Sequence, residues 1–253
     1  MVRGLDVFRE WFAPFADQYV LIGGTAASLT FEEVAQEFRA TKDLDVVLHV
    51  EALSAGFGKT FWAFIEAGGY EMREVGDTGR PAFYRFQKPK DERFPFMLEL
   101  FARAQEALKP DAGAHLTPIP FDEAVSSLSA ILLDDDYYAF IMDGRRETDG
   151  LSWVGEDRLI PLKAIAWLEL LERKQRGEHV DNKNIKKHLN DVLRLSMLLA
   201  PGTNILLTGR LPDDLRRFLK AVQDDGSADP RALGLGQMSL SELLDRVASA
   251  YGL

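Results

Sequence analysis

Between residues 43 and 50 apolar and polar positions alternate. Leu44, Val46, Leu48 and Val50 fall on one side, and Asp43, Asp45, Val47 and His49 on the other. A period of two is that of a strand with one face in a core, so a strand is expected over about 43–50. "QYVLIG" at 18–23 and "FPFMLELF" at 94–101 predict two more strands, and residues 70–75 and 82–87 a further pair. Helices are expected at about 5–15 and 58–67. Thr25, after Gly23-Gly24, is positioned to cap another helix that runs to about 38. "GDTGRP" at 76–81 reads as a turn. Helix and strand alternating in this way predict an α/β (α+β) fold, a mixed sheet flanked by helices.

Beyond residue 120 the pattern becomes mostly helical. A helix near 121–130 and a strand near 137–142 precede a polar loop, "DGRRETDG" at 143–150. Helices are then expected at 161–175, 181–200, 212–223 and 239–251, with Pro161 and Pro212 in first turns, where proline is tolerated. The division this implies is an α/β core over 1–157 and a helical region over 158–253 that completes a cleft.

The 253 residues carry a net charge of −10 and no cysteine. A chain this acidic is no general nucleic-acid binder, and disulfides and thiolate metal sites are excluded. The first residues lack the apolar run of a secretory signal, and the apolar stretches fall short of a membrane span. A cytoplasmic protein without a membrane partner is expected. One basic stretch, "ERKQRGEHVDNKNIKKH" at 172–188, holds six Lys or Arg against three acids.

Against this background the aspartates stand out. Asp43 and Asp45 share a strand face about 7 Å apart, close enough to converge on one cation. Glu99 is an isolated charge in an apolar strand, on the face of Met97 and Phe101. If its strand lies beside 43–50, it joins the two aspartates. Three close carboxylates repel, and Mg²⁺, which takes oxygen ligands, would remove that repulsion. The plainer alternatives are a solvent edge for the aspartates and a salt bridge to an arginine for Glu99. Gly23-Gly24-Thr25 ends one strand and opens a helix. Glycine allows close backbone approach, and a helix N-terminus offers N–H groups to an anion. A triphosphate needs both features, a phosphate cradle and metal-binding acids. "GFGKT" at 56–60 is no phosphate-binding loop, because Leu53 stands where that motif requires glycine.

The combination Gly-Gly-Thr, helix, then Arg39-x-Thr41-x-Asp43-Leu44-Asp45 resembles the polymerase β-like nucleotidyltransferases. Within them "IGGTAA…FRATKDLDVVL" is most similar to the AbiEii-type toxins of type IV toxin–antitoxin systems. "PLKAIAWLELLERKQRG" and "KNIKKHLNDVLRL" resemble that family's lysine-bearing helix and its later Lys-x-x-x-Asp helix, here Lys163, Lys187 and Asp191. The resemblance implies transfer of a nucleoside monophosphate from an NTP to an acceptor hydroxyl. One or two Mg²⁺ ions would be held by Asp43, Asp45 and Glu99, with Gly23, Gly24, Thr25, Lys163, Lys187 and Asp191 on the nucleotide. It also implies an RNA acceptor, such as a tRNA end, or a protein hydroxyl, and a cognate antitoxin partner. A small-molecule acceptor, and a non-catalytic nucleotide- or partner-binding module on the same fold, stand as alternatives. Read without the family, Ile185, Leu189, Val192, Ser196 and Leu199 form a buried stripe. Lys187, Asp191 and Arg194 lie on a neighbouring face as a charged ladder.

Overall fold

The computed structural model describes residues 2–72, 83–101, 134–226 and 228–253. They fall into two compact units. Residues 2–72, 83–101 and 145–155 form the first, and 134–144 with the described residues from 156 onward form the second. The junction at 155/156 is two residues from the expected boundary, and residues 134–144 belong with the helical unit. The expected turn at 76–81 and helix near 121–130 lie outside the described residues.

In the first unit, α1 (Leu5–Phe12) leads into β1 (Tyr19–Ile22), α2 (Gly23–Glu33), β2 (Asp43–Leu48) and α3 (Ala55–Gly68). Then come β3 (Glu71–Met72), β4 (Phe83–Gln87) and β5 (Met97–Phe101), and finally β6 (Arg145–Thr148) and β7 (Leu151–Val154). The seven strands form one mixed sheet in the order β3-β4-β5-β2-β1-β7-β6. Strands β2 and β5, and β1 and β7, are parallel; the other neighbours are antiparallel. The fold is α/β with a mixed sheet, as the alternation of elements predicts.

The alternation along β2 sorts the sheet faces. Leu44 pairs with Leu98, which in turn opposes Phe86. Phe61 of α3 meets Phe86 edge-on, with ring centroids 5.5 Å apart. On the same side Tyr19, opposite Leu48, packs against Phe8 at 5.3 Å. Phe12 joins Phe8 and Phe64 at 4.4 and 5.3 Å. Helices α1 and α3 therefore cover this face with an aromatic cluster, whose large buried areas dominate the core.

Two expectations about the first unit are corrected. Helix α2 ends at Glu33, not near 38. Ala35 takes a left-handed φ of 54°, and the Gln36 N–H donates to the Phe31 carbonyl at 2.9 Å, a Schellman-type closure. The stretch expected as the polar loop 143–150 contains β6 and the turn of the β6–β7 hairpin. Asp149 and Gly150 both have positive φ, 51° and 74°, as a two-residue hairpin turn requires.

The second unit holds α4 (Asp135–Asp143), α5 (Glu156–Gln175), α6 (Asn182–Ser196), α7 (Leu211–Asp225) and α8 (Leu240–Ala250). Residues 137–142, expected as a strand, lie in α4. The Asp134 carboxylate caps it, accepting from the N–H groups of Asp136 and Tyr137 at 3.0 and 3.3 Å. The apolar run Tyr137, Tyr138, Phe140, Ile141 is buried from this helix. Its Tyr137 hydroxyl donates to Asp214 at 3.1 Å, and the same carboxylate accepts from Arg210 Nε at 2.8 Å. Ser239 and Glu242 form a capping box at the start of α8. The stripe Ile185, Leu189, Val192, Ser196 and Leu199 is buried as expected.

Pro161, expected in a first turn, is the sixth residue of α5. It has no N–H for the carbonyl of Asp157, four residues earlier. That carbonyl accepts from the buried Tyr251 hydroxyl at 2.7 Å instead. A hydroxyl from beyond α8 thus replaces the missing rung of the helix. Tyr251→Phe should cost about 1–3 kcal/mol by leaving the carbonyl without its donor. The loss should shrink in a Pro161→Ala background, where an N–H returns. Denaturant melts of the double-mutant cycle check this, and an equal loss in both backgrounds contradicts it.

Candidate active site

The register of four strands builds the acidic face. Asp43 lies opposite Met97 and Asp45 opposite Glu99 in the parallel β2–β5 pair. Arg85 of β4 opposes Glu99 from the other side, and Ile22 of β1 opposes Asp45. One rung across the sheet therefore reads Arg85, Glu99, Asp45, Ile22, with neighbouring strands about 4.8 Å apart. All four point away from the aromatic cluster, and Asp43 lies two residues along on the same face.

Glu99 is buried, with 6% of its surface exposed. A lone carboxylate there would be costly. Arg85 answers it: Nε donates to Glu99 Oε1 at 2.8 Å, and Nη2 reaches the same oxygen. Both contacts fall on one carboxylate oxygen. Arg85 was not among the residues singled out in the sequence, although an isolated Arg in "FYRFQ" mirrors the isolated Glu in "FMLELF".

The glycine turn meets the aspartates directly. Gly23 has a φ of +67°, and a Cβ placed on it would lie 1.7 Å from Asp45 Oδ2. On Gly24 the same atom would lie 2.6 Å from Thr41 Oγ1. Only glycine lets the first turn of α2 approach the Asp-x-Asp segment this closely. Thr25 does not cap the helix as expected. It is the third residue of α2, and its hydroxyl donates to the Asp43 carbonyl at 2.9 Å, tying helix to strand. The capping position falls to Ile22, whose side chain has no acceptor. The N–H groups of Gly23, Gly24 and Thr25 lie in the first turn, where no intrahelical acceptor exists. The Asp45 carboxylate against Gly23 complements the positive end of the helix.

Gly23 is thus brought against Asp45, Thr25 against the Asp43 carbonyl, and Glu99 to the strand position opposite Asp45. Among the described residues, no three His, Asp or Glu side chains converge as a group able to hold a metal ion. The two aspartates supply the oxygen donors that suit Mg²⁺, beside a glycine turn against which Asp45 and Thr41 are already packed. Glu99 stands next to them, engaged by Arg85.

Lys163, Lys187 and Asp191 belong to the second unit. Lys163 Nζ donates to Asp191 Oδ2 at 2.7 Å, and both side chains are almost fully buried. Lys187, one turn before Asp191 on α6, is exposed. Asp191 therefore orients the lysine of α5. In the basic stretch Arg173 and Arg176 donate to Glu178 at 2.7 and 3.2 Å, while Lys183 and Lys186 are exposed. Gly58 and Lys59 lie within α3, which Ser54 caps, so "GFGKT" is helix rather than a phosphate-binding loop.

Compared with known proteins, the chain matches no family model and no curated relative.

Two outcomes follow from this geometry. Gly23→Ala forces a left-handed φ on a side chain that also displaces Asp45. Strain of about 1–3 kcal/mol should appear as a lower melting temperature, and Gly58→Ala, with open space around it, should not lower it. Lys163→Met should cost about 3–5 kcal/mol by leaving Asp191 charged and buried, and Lys163→Met with Asp191→Leu should recover most of that. Chemical denaturation measures both, and a double variant as weak as the single contradicts the pairing.

Proposed function

We propose that the chain is a Mg²⁺-dependent nucleotidyltransferase that moves a nucleoside monophosphate from an NTP to an acceptor hydroxyl. The observation that supports this reading is the Asp45 carboxylate lying against the uncapped glycine turn of α2, with Glu99 beside it and Asp43 on the same face. The N–H groups of Gly23, Gly24 and Thr25 would bind phosphate oxygens, aided by the helix dipole. Asp43 and Asp45 would hold the metal, which when bound supplies charge neutralisation at the phosphates. Glu99 would take the proton of the acceptor hydroxyl. The acceptor oxygen then bonds to the α-phosphorus, the bond to the bridging oxygen breaks, and pyrophosphate leaves. Positioning and electrostatics carry most of the rate in such transfers.

The acceptor in this reading is RNA, such as a tRNA end, with the basic stretch 172–188 as its contact. The Asp-x-Asp and Gly-Gly-Thr motifs resemble the AbiEii-type toxins, which adds a protein hydroxyl as a further acceptor and a cognate antitoxin as partner. Among the described residues no helix is long and apolar enough to cross a membrane, in keeping with substrates in solution. A second reading, a non-catalytic nucleotide-binding module, draws on one observation: Glu99 is already neutralised by Arg85.

Labelled NTPs offered with RNA, protein and small-molecule acceptors test the proposal. Transfer to RNA is expected, and Asp45→Asn should reduce it about 10²-fold or more, the scale of losing one preorganised charge contact. Equal transfer by the variant and the parent rules the mechanism out. Label appearing only on a small molecule replaces the RNA acceptor.

A further inference from the structure

Arg85 lies in register with the acids yet has no part in the transfer chemistry above. Its guanidinium grips Glu99 Oε1 through two nitrogens, on the side of β5 away from Asp45. The pair is largely withdrawn from water: side-chain exposure is 20% for Arg85 and 8% for Glu99. In such a setting a charge-assisted hydrogen bond is strong. A divalent cation that seeks the third carboxylate must therefore compete with a cation already in place.

Resting on the metal-dependent reading, we propose that Arg85 is a latch on Glu99: it holds the third carboxylate in reserve and lowers the affinity of the acidic face for divalent cations. With the latch closed, the face presents the two aspartates, and the buried acid carries no uncompensated charge. With the latch open, Glu99 turns to the ion and the guanidinium moves off Oε1. Opening costs the hydrogen bonds to a charged group, about 1.5–3 kcal/mol, which corresponds to an affinity lowered about 10- to 100-fold. The latch thereby sets how far the third carboxylate contributes at a given metal concentration. It also explains how an acid of this face tolerates burial in the absence of metal.

Mn²⁺ titration, followed by electron paramagnetic resonance or calorimetry, tests this without any assay of transfer. Arg85→Met should bind Mn²⁺ about 10- to 100-fold more tightly than the parent. In a Glu99→Gln background the same substitution should change affinity little, because the carboxylate that the latch withholds is then absent. Arg85→Met leaves Glu99 buried without its partner and can be too unstable to isolate. Its melting temperature against Mn²⁺ concentration then carries the test: tighter binding gives a larger rise at each concentration. Arg85→Lys, a charge without the two-nitrogen grip, should fall between Met and the parent. Equal or weaker Mn²⁺ binding by Arg85→Met overturns the latch and leaves the metal-dependent reading standing. A gain that persists with Glu99→Gln also overturns it, since the effect would then be that of any nearby positive charge. No Mn²⁺ binding by either the parent or Arg85→Met overturns both.

Discussion

The first unit depends on a carboxylate meeting a glycine. Asp45 lies against Gly23, where a single additional carbon would collide with its oxygen. That contact fixes three things together: the end of β1, the uncapped start of α2, and the place of β2 in the sheet. The Thr25 hydroxyl on the Asp43 carbonyl fastens the same junction a second time. Burying the even side of β2 under the aromatic cluster provides the driving force. The polar contacts at the helix start decide where the strand stops sliding.

The remaining charges follow from that placement. With β2 fixed, its parallel pairing with β5 brings Glu99 beside Asp45. A second acid in a half-buried rung needs compensation, and β4 supplies it in Arg85. The second unit solves a similar problem with Lys163 and Asp191, a buried pair drawn from adjacent helices. Buried ion pairs of this kind contribute little net stability over apolar packing but are expensive to break from one side.

How much of this was legible beforehand depends on the range of the interaction. The two faces of β2 could be read from Leu44, Val46 and Leu48 against Asp43 and Asp45, because pleating is local. The proximity of Gly23 to the Asp-x-Asp segment accords with reading the two motifs together, because strand, turn and helix follow one another along the chain. The role of Thr25 was not legible, because a hydroxyl at a helix start serves equally as cap or strap, and its partner is eighteen residues away. Residues 137–142 read as a strand because tyrosine, phenylalanine and isoleucine favour strands; the Asp134 cap and burial within the helical unit overrode that preference. The Asp149-Gly150 pair is a hairpin signal in plain view, masked by the charges around it. An arginine partner for Glu99 was the plainer alternative in the sequence, and the structure shows one; which arginine was out of reach, since sequence shows which face a residue takes but not which strand becomes its neighbour.

The pleat of β2 has one more consequence. Slipping its pairing by a single residue would turn Asp43 and Asp45 into the layer of Phe61, Phe86 and Tyr19 and push Leu44 and Val46 out among the charges. Two desolvated, unpartnered carboxylates make that misregistered sheet prohibitively unstable. The acids therefore act as proofreaders of assembly. A variant in which both become asparagine would be penalised less for the mispaired sheet, because burying an amide costs less than burying a charge.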